Sequence, residues 1–213
     1  MKEQSSMGIV QFKQDDTHYP SDLRTCLGNH APKIITALGN LAIFKDKKVA
    51  FFCSVKCPGH LILKTYDLAQ HLKEAGVTVI GGFHSPIERE CLRILLRGPQ
   101  PVIVCPARSL KGMRLQAEYK DPIKKGQLLL LSPFKESKNR NTVEAANERN
   151  RFVAALADTI LVAHASPNSK TERFCHEVLS WGKPLYTLES DANINLIRLG
   201  MKPIGLNNIG DLV

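Results

Sequence analysis

The stretch VAFFCSVKCPGHLILKTYDLAQHLKEAGVTVIGG, residues 49–82, decides the fold. It opens on an apolar run, VAFFCSV (49–55), turns at Pro58-Gly59, and closes on a second run, VTVIGG (77–82). Between the runs, Leu61, Thr65, Leu68 and Leu72 fall at i, i+4, i+7 and i+11, a single helical stripe. Gly76 then stands where a helix C-terminal glycine belongs. The unit therefore reads strand, helix, strand, and the rhythm continues outward. Further apolar runs are PVIVC (101–105), QLLLLS (127–132), TILVAH (159–164) and PLYTL (184–188). Helical patterns separate them at 86–98, 142–158 and 169–183. Most runs are continuous rather than alternating, which suits strands buried on both faces. Alternating strands and helices argue for a parallel sheet with right-handed crossovers. The expected class is α/β, a doubly wound, mostly parallel sheet. Residues 1–45 break the rhythm and read as a short helical or irregular lead-in, leaving 46–213 as the main domain. Residues 106–126 read as a long connection rich in Lys and Arg.

The chain has 213 residues, 43% hydrophobic and 23% charged. There is enough apolar surface to bury, which excludes wholesale disorder. No apolar run reaches the roughly 18 residues that a membrane span needs, so no membrane partner is expected. The opening MKEQSSMGIVQFKQDD has no apolar signal core. The expected location is cytoplasmic, and Cys26, Cys53, Cys57, Cys91, Cys105 and Cys175 are expected to be free thiols. Cys53, Cys57 and His60 have a ligand-like spacing but no fourth ligand nearby, so no metal and no cofactor is expected. Net charge is +9, and the excess is local: residues 41–140 hold 18 basic and 8 acidic side chains. Such a surplus favours an anionic partner such as nucleic acid, a nucleotide or an anionic membrane surface.

In an open parallel sheet, ligands bind beyond the carboxyl ends of the strands. Four loops leave such ends. The first carries Ser54 and Lys56 and reaches a helix start at Gly59, where backbone N–H groups and a cation can hold an anion. The second carries Gly81, Gly82 and His84, the paired glycines allowing close backbone approach. The third opens the basic connection with Arg108, Lys111 and Arg114. The fourth runs from His164 through Ser166-Pro167-Asn168-Ser169. No dinucleotide, P-loop, zinc-protease or hydrolase motif is present, so no catalytic residue is assigned. His84 and His164 are expected to hydrogen-bond within their loops. On the helix around Glu148-Arg149-Asn150-Arg151, Asn150 shares a stripe with Ala146, Val153 and Ala157, so its amide is expected on an apolar face. Arg149 shares a stripe with Ala145, Phe152 and Leu156. Arg151 is expected to pair with Glu148, three residues back.

Here the chain resembles the DprA/Smf family of DNA-processing proteins. Arg149-Asn150-Arg151, with FVAALAD and TILVAH after it, is similar to the family's RNR helix and following strand. Tyr19-Pro20, APKIITALGN and the strand ending near Ser54 and Gly59 resemble its opening. HLKEAGVTVIGGFHSPIERECL resembles its second strand, Ser-Gly turn and next helix. Asn193 to Gly200, with Asn195 inside it, resembles its G-x-N-x-L-I-x-x-G segment. The resemblance implies an extended Rossmann-like fold, single-stranded DNA as ligand, a recombinase as partner and a homodimer. This sequence departs from the pattern at several places. Cys53-Ser54-Val55 stands where the family has Gly-Ser-Arg, which removes the expected DNA-contacting arginine and leaves Lys56 beside it. Gly81-Gly82 replaces Ser-Gly, Pro86-Ile87-Glu88 replaces Gly-Ile-Asp, and Ser166-Pro167-Asn168-Ser169 replaces a Ser-Gly-Ser-rich loop. The chain ends at Val213, where many members continue into a winged-helix domain.

Three functions follow for comparison. The first is non-catalytic single-stranded DNA binding in uptake and recombination. The second is nucleotide binding or sensing on the same fold. Relatives that hydrolyse nucleoside monophosphates resemble P-G-G-x-G-T-x-x-E, and the segment 166–172 lacks those glycines. The third is a protein-interaction scaffold that keeps only the fold.

Overall fold

All six apolar runs form strands in a computed structural model that describes residues 8–212. They are β3 (Lys48–Phe52), β4 (Thr78–Gly81), β5 (Val102–Val104), β6 (Leu128–Ser132), β7 (Thr159–Val162) and β8 (Leu185–Leu188). The expected helices follow as α2 (Gly59–Glu74), α3 (Pro86–Leu95), α5 (Val143–Leu156) and α6 (Lys170–Leu179). The connection at 106–126 is partly ordered as α4 (Ala117–Lys124). The lead-in holds the expected short helix, α1 (Ser21–Leu27), and two strands besides, β1 (Val10–Lys13) and β2 (Ile34–Gly39). Helix α7 (Ile194–Arg198) and strand β9 (Lys202–Ile204) complete the chain.

The strands form one sheet of order β1-β2-β6-β5-β4-β3-β7-β8-β9. β1 runs antiparallel to β2 and β2 antiparallel to β6, and every other neighbour is parallel. The chain winds outward from β3 to β6, then α5 carries it back across to β7 on the other side of β3. The strand order therefore reverses between β3 and β7, the switch point where such sheets open a crevice.

The continuous apolar runs divide between two cores. On β6, Leu128 and Leu130 enter one cluster while Leu129 and Leu131 enter the other. The first cluster lies under α2, α3 and α4, with Val49 and Phe51 of β3; the second lies under α1, α5 and α6, with Ala50 and Phe52. The predicted α2 stripe of Leu61, Thr65, Leu68 and Leu72 is fully buried. Each buried Leu contributes roughly 1.5–3 kcal/mol. At the end of α2, Gly76 adopts φ +71°. Its N–H donates to the Lys73 carbonyl, and the Val77 N–H donates to Leu72, a Schellman closure that hands the chain straight to β4. Among the described residues, no helix is long and apolar enough to cross a membrane.

Candidate nucleic-acid interface

The loops after β3 and β4 are tied by a carboxylate. Glu88 sits in the first turn of α3 and is buried. One of its oxygens accepts from the Cys53 N–H at 3.0 Å; the other accepts from His84 N–H at 2.9 Å and Ser85 N–H at 3.2 Å. Ser85 returns the bond to the Glu88 N–H, completing a capping box with Pro86 at the first helical position. The signal Ser85-x-x-Glu88 before an apolar run was present in the sequence and marks this tie.

Arg149 reaches from α5 across the ends of β4 and β5. Its Nη1 donates to the Cys105 carbonyl at 3.0 Å and its Nε to the Asn150 Oδ1 at 2.8 Å. A Cβ on Gly82 would lie 1.5 Å from Nη1, so the guanidinium occupies the space that any side chain there would fill. Gly82 supplies room rather than a positive φ. Phe83 beside it does take φ +46°, a strained conformation for an aromatic residue, with its ring packed over Gly81. Burial lowers the Arg149 pKa, and the neighbouring Glu88 carboxylate opposes that shift.

The structure revises two expectations on α5. Arg149 is the residue buried at 4% exposure, while Asn150 is half-buried and serves as its acceptor. Both stripes face the sheet in part, and the longer arginine spans the gap to Cys105. Arg151 pairs with Glu177 of α6 at 2.6 Å rather than with Glu148. The packing of α5 beside α6 brings Glu177 to the guanidinium.

At the switch point these parts enclose a cleft of about 440 Å³. Ser54, Glu88, Arg149, Asn150 and Arg151 line one side; Lys170, Thr171, Arg173 and Phe174 of α6 line the other. The Ser54 hydroxyl donates to the Thr171 hydroxyl at 3.0 Å. The lining holds two carboxylates, Glu88 and Glu177, against four cations, Arg149, Arg151, Lys170 and Arg173, so its net charge is positive. Lys170 and Arg173 stand in the first turn of α6, where the helix dipole already presents positive charge. Glu172 stands in the same turn, its carboxylate held by Asn195 and the Asn168 N–H. Phe174 packs edge-on to Phe52, ring centroids 5.0 Å apart, and stays half-buried.

The remaining predicted residues fall elsewhere. Val55 is 69% exposed on the loop that lines the cleft. Lys56 and Gly59 are exposed and outside the lining. Gly81 ends β4 and its carbonyl accepts from Cys105 N–H at 2.8 Å. Asn195 works from behind, donating to the Ala165 carbonyl and to Glu172, which in turn accepts from the Asn168 N–H. Asn168 takes φ +60°, and Ser169 caps α6. Gly82, Arg108 and Arg114 border a second cleft of about 400 Å³, on the other side of Arg149. Lys111 lies outside it, paired with Glu136. His84 is exposed between the two clefts. His164 is buried and faces Asn193 Oδ1 at 2.7 Å. Both Asn193 amide protons go to carbonyls, so its oxygen accepts and His164 Nδ1 carries the proton. The Cys53 thiol donates to the Ser54 carbonyl and the Cys57 thiol to the Pro58 carbonyl; the interaction between the two thiols raises the Cys53 pKa, as burial does, and lowers that of Cys57. The His60 ring reaches Ser190 instead, at 3.5 Å.

The sequence profile described as DNA recombination-mediator protein A matches residues 11–200. The chain belongs to that family. No curated protein matches its sequence. Among solved structures, it is similar to DNA processing protein A from Streptococcus pneumoniae, at 21% identity and TM-score 0.79, covering 95% of this chain and 74% of that one. It is also similar to DNA processing protein A from Helicobacter pylori, described for its single-stranded DNA binding mode, at 19% identity and TM-score 0.76, covering 97% and 95%. The molybdenum cofactor carrier protein of Chlamydomonas reinhardtii is similar at 11% identity and TM-score 0.53, covering 78% and 98%. These identities speak for the fold alone, the extended Rossmann-like α/β sheet. Lys170 and Arg173 bring cations to the switch-point cleft from α6, and no motif in the sequence singles them out.

Proposed function

We propose that this protein binds single-stranded DNA in the switch-point cleft, without catalysis, as a recombination mediator. One observation carries the reading: a cleft at the sheet's switch point lined by four cations against two carboxylates. Membership of the recombination-mediator family and the single-stranded DNA binding named for the Helicobacter pylori protein support it. Phosphates following Lys170, Arg173 and Arg149 would provide sequence-independent affinity. The half-buried face of Phe174 offers a surface for one base, worth roughly 1–3 kcal/mol. On the strength of family membership, we also propose a recombinase partner, a homodimer and a cytoplasmic setting.

Fluorescence anisotropy with an oligothymidylate tests this. Lys170→Ala/Arg173→Ala should weaken binding and lower the log–log salt slope by about 1.4, at about 0.7 per phosphate. Phe174→Ala should weaken binding by roughly 5- to 150-fold while leaving that slope unchanged. Wild-type affinity in both variants would move the DNA out of this cleft.

A further inference from the structure

The cleft on the far side of Arg149 lies over the carboxyl ends of β4, β5 and β6, bordered by Gly82, Val104 and Leu130. Three more arginines meet there, from two segments of the chain. Arg89 comes from α3, and Arg108 and Arg114 come from the connection after β5. None of the three makes an ion pair among the described residues. The one carboxylate in the lining, Glu118, faces Arg93 at 3.8 Å. The Nε of Arg108 is buried with no hydrogen-bond partner. Buried N–H donors in folded proteins nearly always have acceptors, and this one has none among the described residues. The floor is closed by buried Phe83, Val104 and Tyr119, which leaves the polar rim for recognition. Guanidinium groups converging in this way match the oxygens of a phosphate.

We infer that this second cleft is a phosphate-binding site, served by Arg89, Arg108 and Arg114. The phosphate comes either from a DNA strand that continues past Arg149 out of the switch-point cleft, or from a free nucleotide or pyrophosphate. The strand source rests on the single-stranded DNA reading above; the free source does not. Arg149 touches both clefts, so a strand lying in both would pass over one shared guanidinium.

The test uses the exposed pair Arg89→Ala/Arg114→Ala, with Arg108→Ala made separately, each checked for cooperative thermal unfolding. One arm titrates salt against a long oligothymidylate; the other measures the thermal shift given by inorganic pyrophosphate. If a strand occupies the site, the double variant should lower the log–log salt slope by about 1.4. If the source is a free phosphate, pyrophosphate should raise the Tm of the wild type, and the variants should lose that rise. An unchanged slope together with an unchanged pyrophosphate shift would overturn the inference. If the wild type binds no oligothymidylate, the single-stranded DNA reading fails and the pyrophosphate arm alone decides this site.

Discussion

Gly82 and Arg149 illustrate how one residue's chemistry is fixed by another's bulk. The guanidinium fills the place of the missing side chain, so Gly82→Ala must displace it. The expected cost is about 1–3 kcal/mol, the usual range for overpacking. In a double-mutant cycle with Arg149→Ala, the double variant should lose less than the sum of the two single losses, with a coupling of about 0.5–3 kcal/mol. Denaturant unfolding of the four proteins measures it, and simple additivity would mean the clash is relieved elsewhere. The pairing was half legible in the sequence. Paired glycines after a strand suggest close approach, and the Arg149-Asn150-Arg151 motif suggests a cluster, but nothing in one dimension joins position 82 to position 149. The stripe rule placed Asn150 inward because it scores faces and ignores side-chain length; arginine reaches across where asparagine stops. Arg151 likewise took Glu177, from the neighbouring helix, over a partner on its own.

At the scale of elements, α3 does more than cover the sheet. Its first turn carries the Glu88 carboxylate that holds the loops after β3 and β4 together, setting the geometry of the cleft wall. Glu88→Ala leaves the N–H groups of Cys53, His84 and Ser85 without that acceptor. The expected loss is about 3 kcal/mol, or a fall in Tm of roughly 6–12 °C for a chain of this size. Thermal unfolding checks it, and a fall of less than about 3 °C would show that water replaces the carboxylate. The central strands and helices were readable because each is long, apolar and bounded by turn residues. β1, β2 and β9 were not. β9 contains only three residues, one of them Pro203, at the sheet edge. β1 keeps most of its side chains exposed and so shows no buried run. β2 pairs antiparallel with β6, outside the repeating parallel rhythm that identified the others. Lys170 and Arg173 were missed for a similar reason: on α6 they read as ordinary surface cations, and only the return of the chain to β7 sets them opposite Ser54.

Across the whole molecule, charge and topology divide the work. The surplus of basic residues in 41–140 first suggested an anionic partner, while the family motifs lay mostly in the near-neutral remainder. The fold resolves that tension. The crossover through α5 brings Arg149 to the ends of β4 and β5, with the basic connection on one side of it and α6 on the other. Two cationic clefts thus share the carboxyl end of the sheet. A phosphate chain bound there must shed counterions, so its affinity must fall as salt rises. The most direct test of this account is the dependence of oligothymidylate affinity on salt for the wild-type protein. Three or four phosphates held in the switch-point cleft predict a log–log slope of about −2 to −3, steeper if the strand continues into the second cleft. No binding at low salt, or binding indifferent to salt, would contradict it.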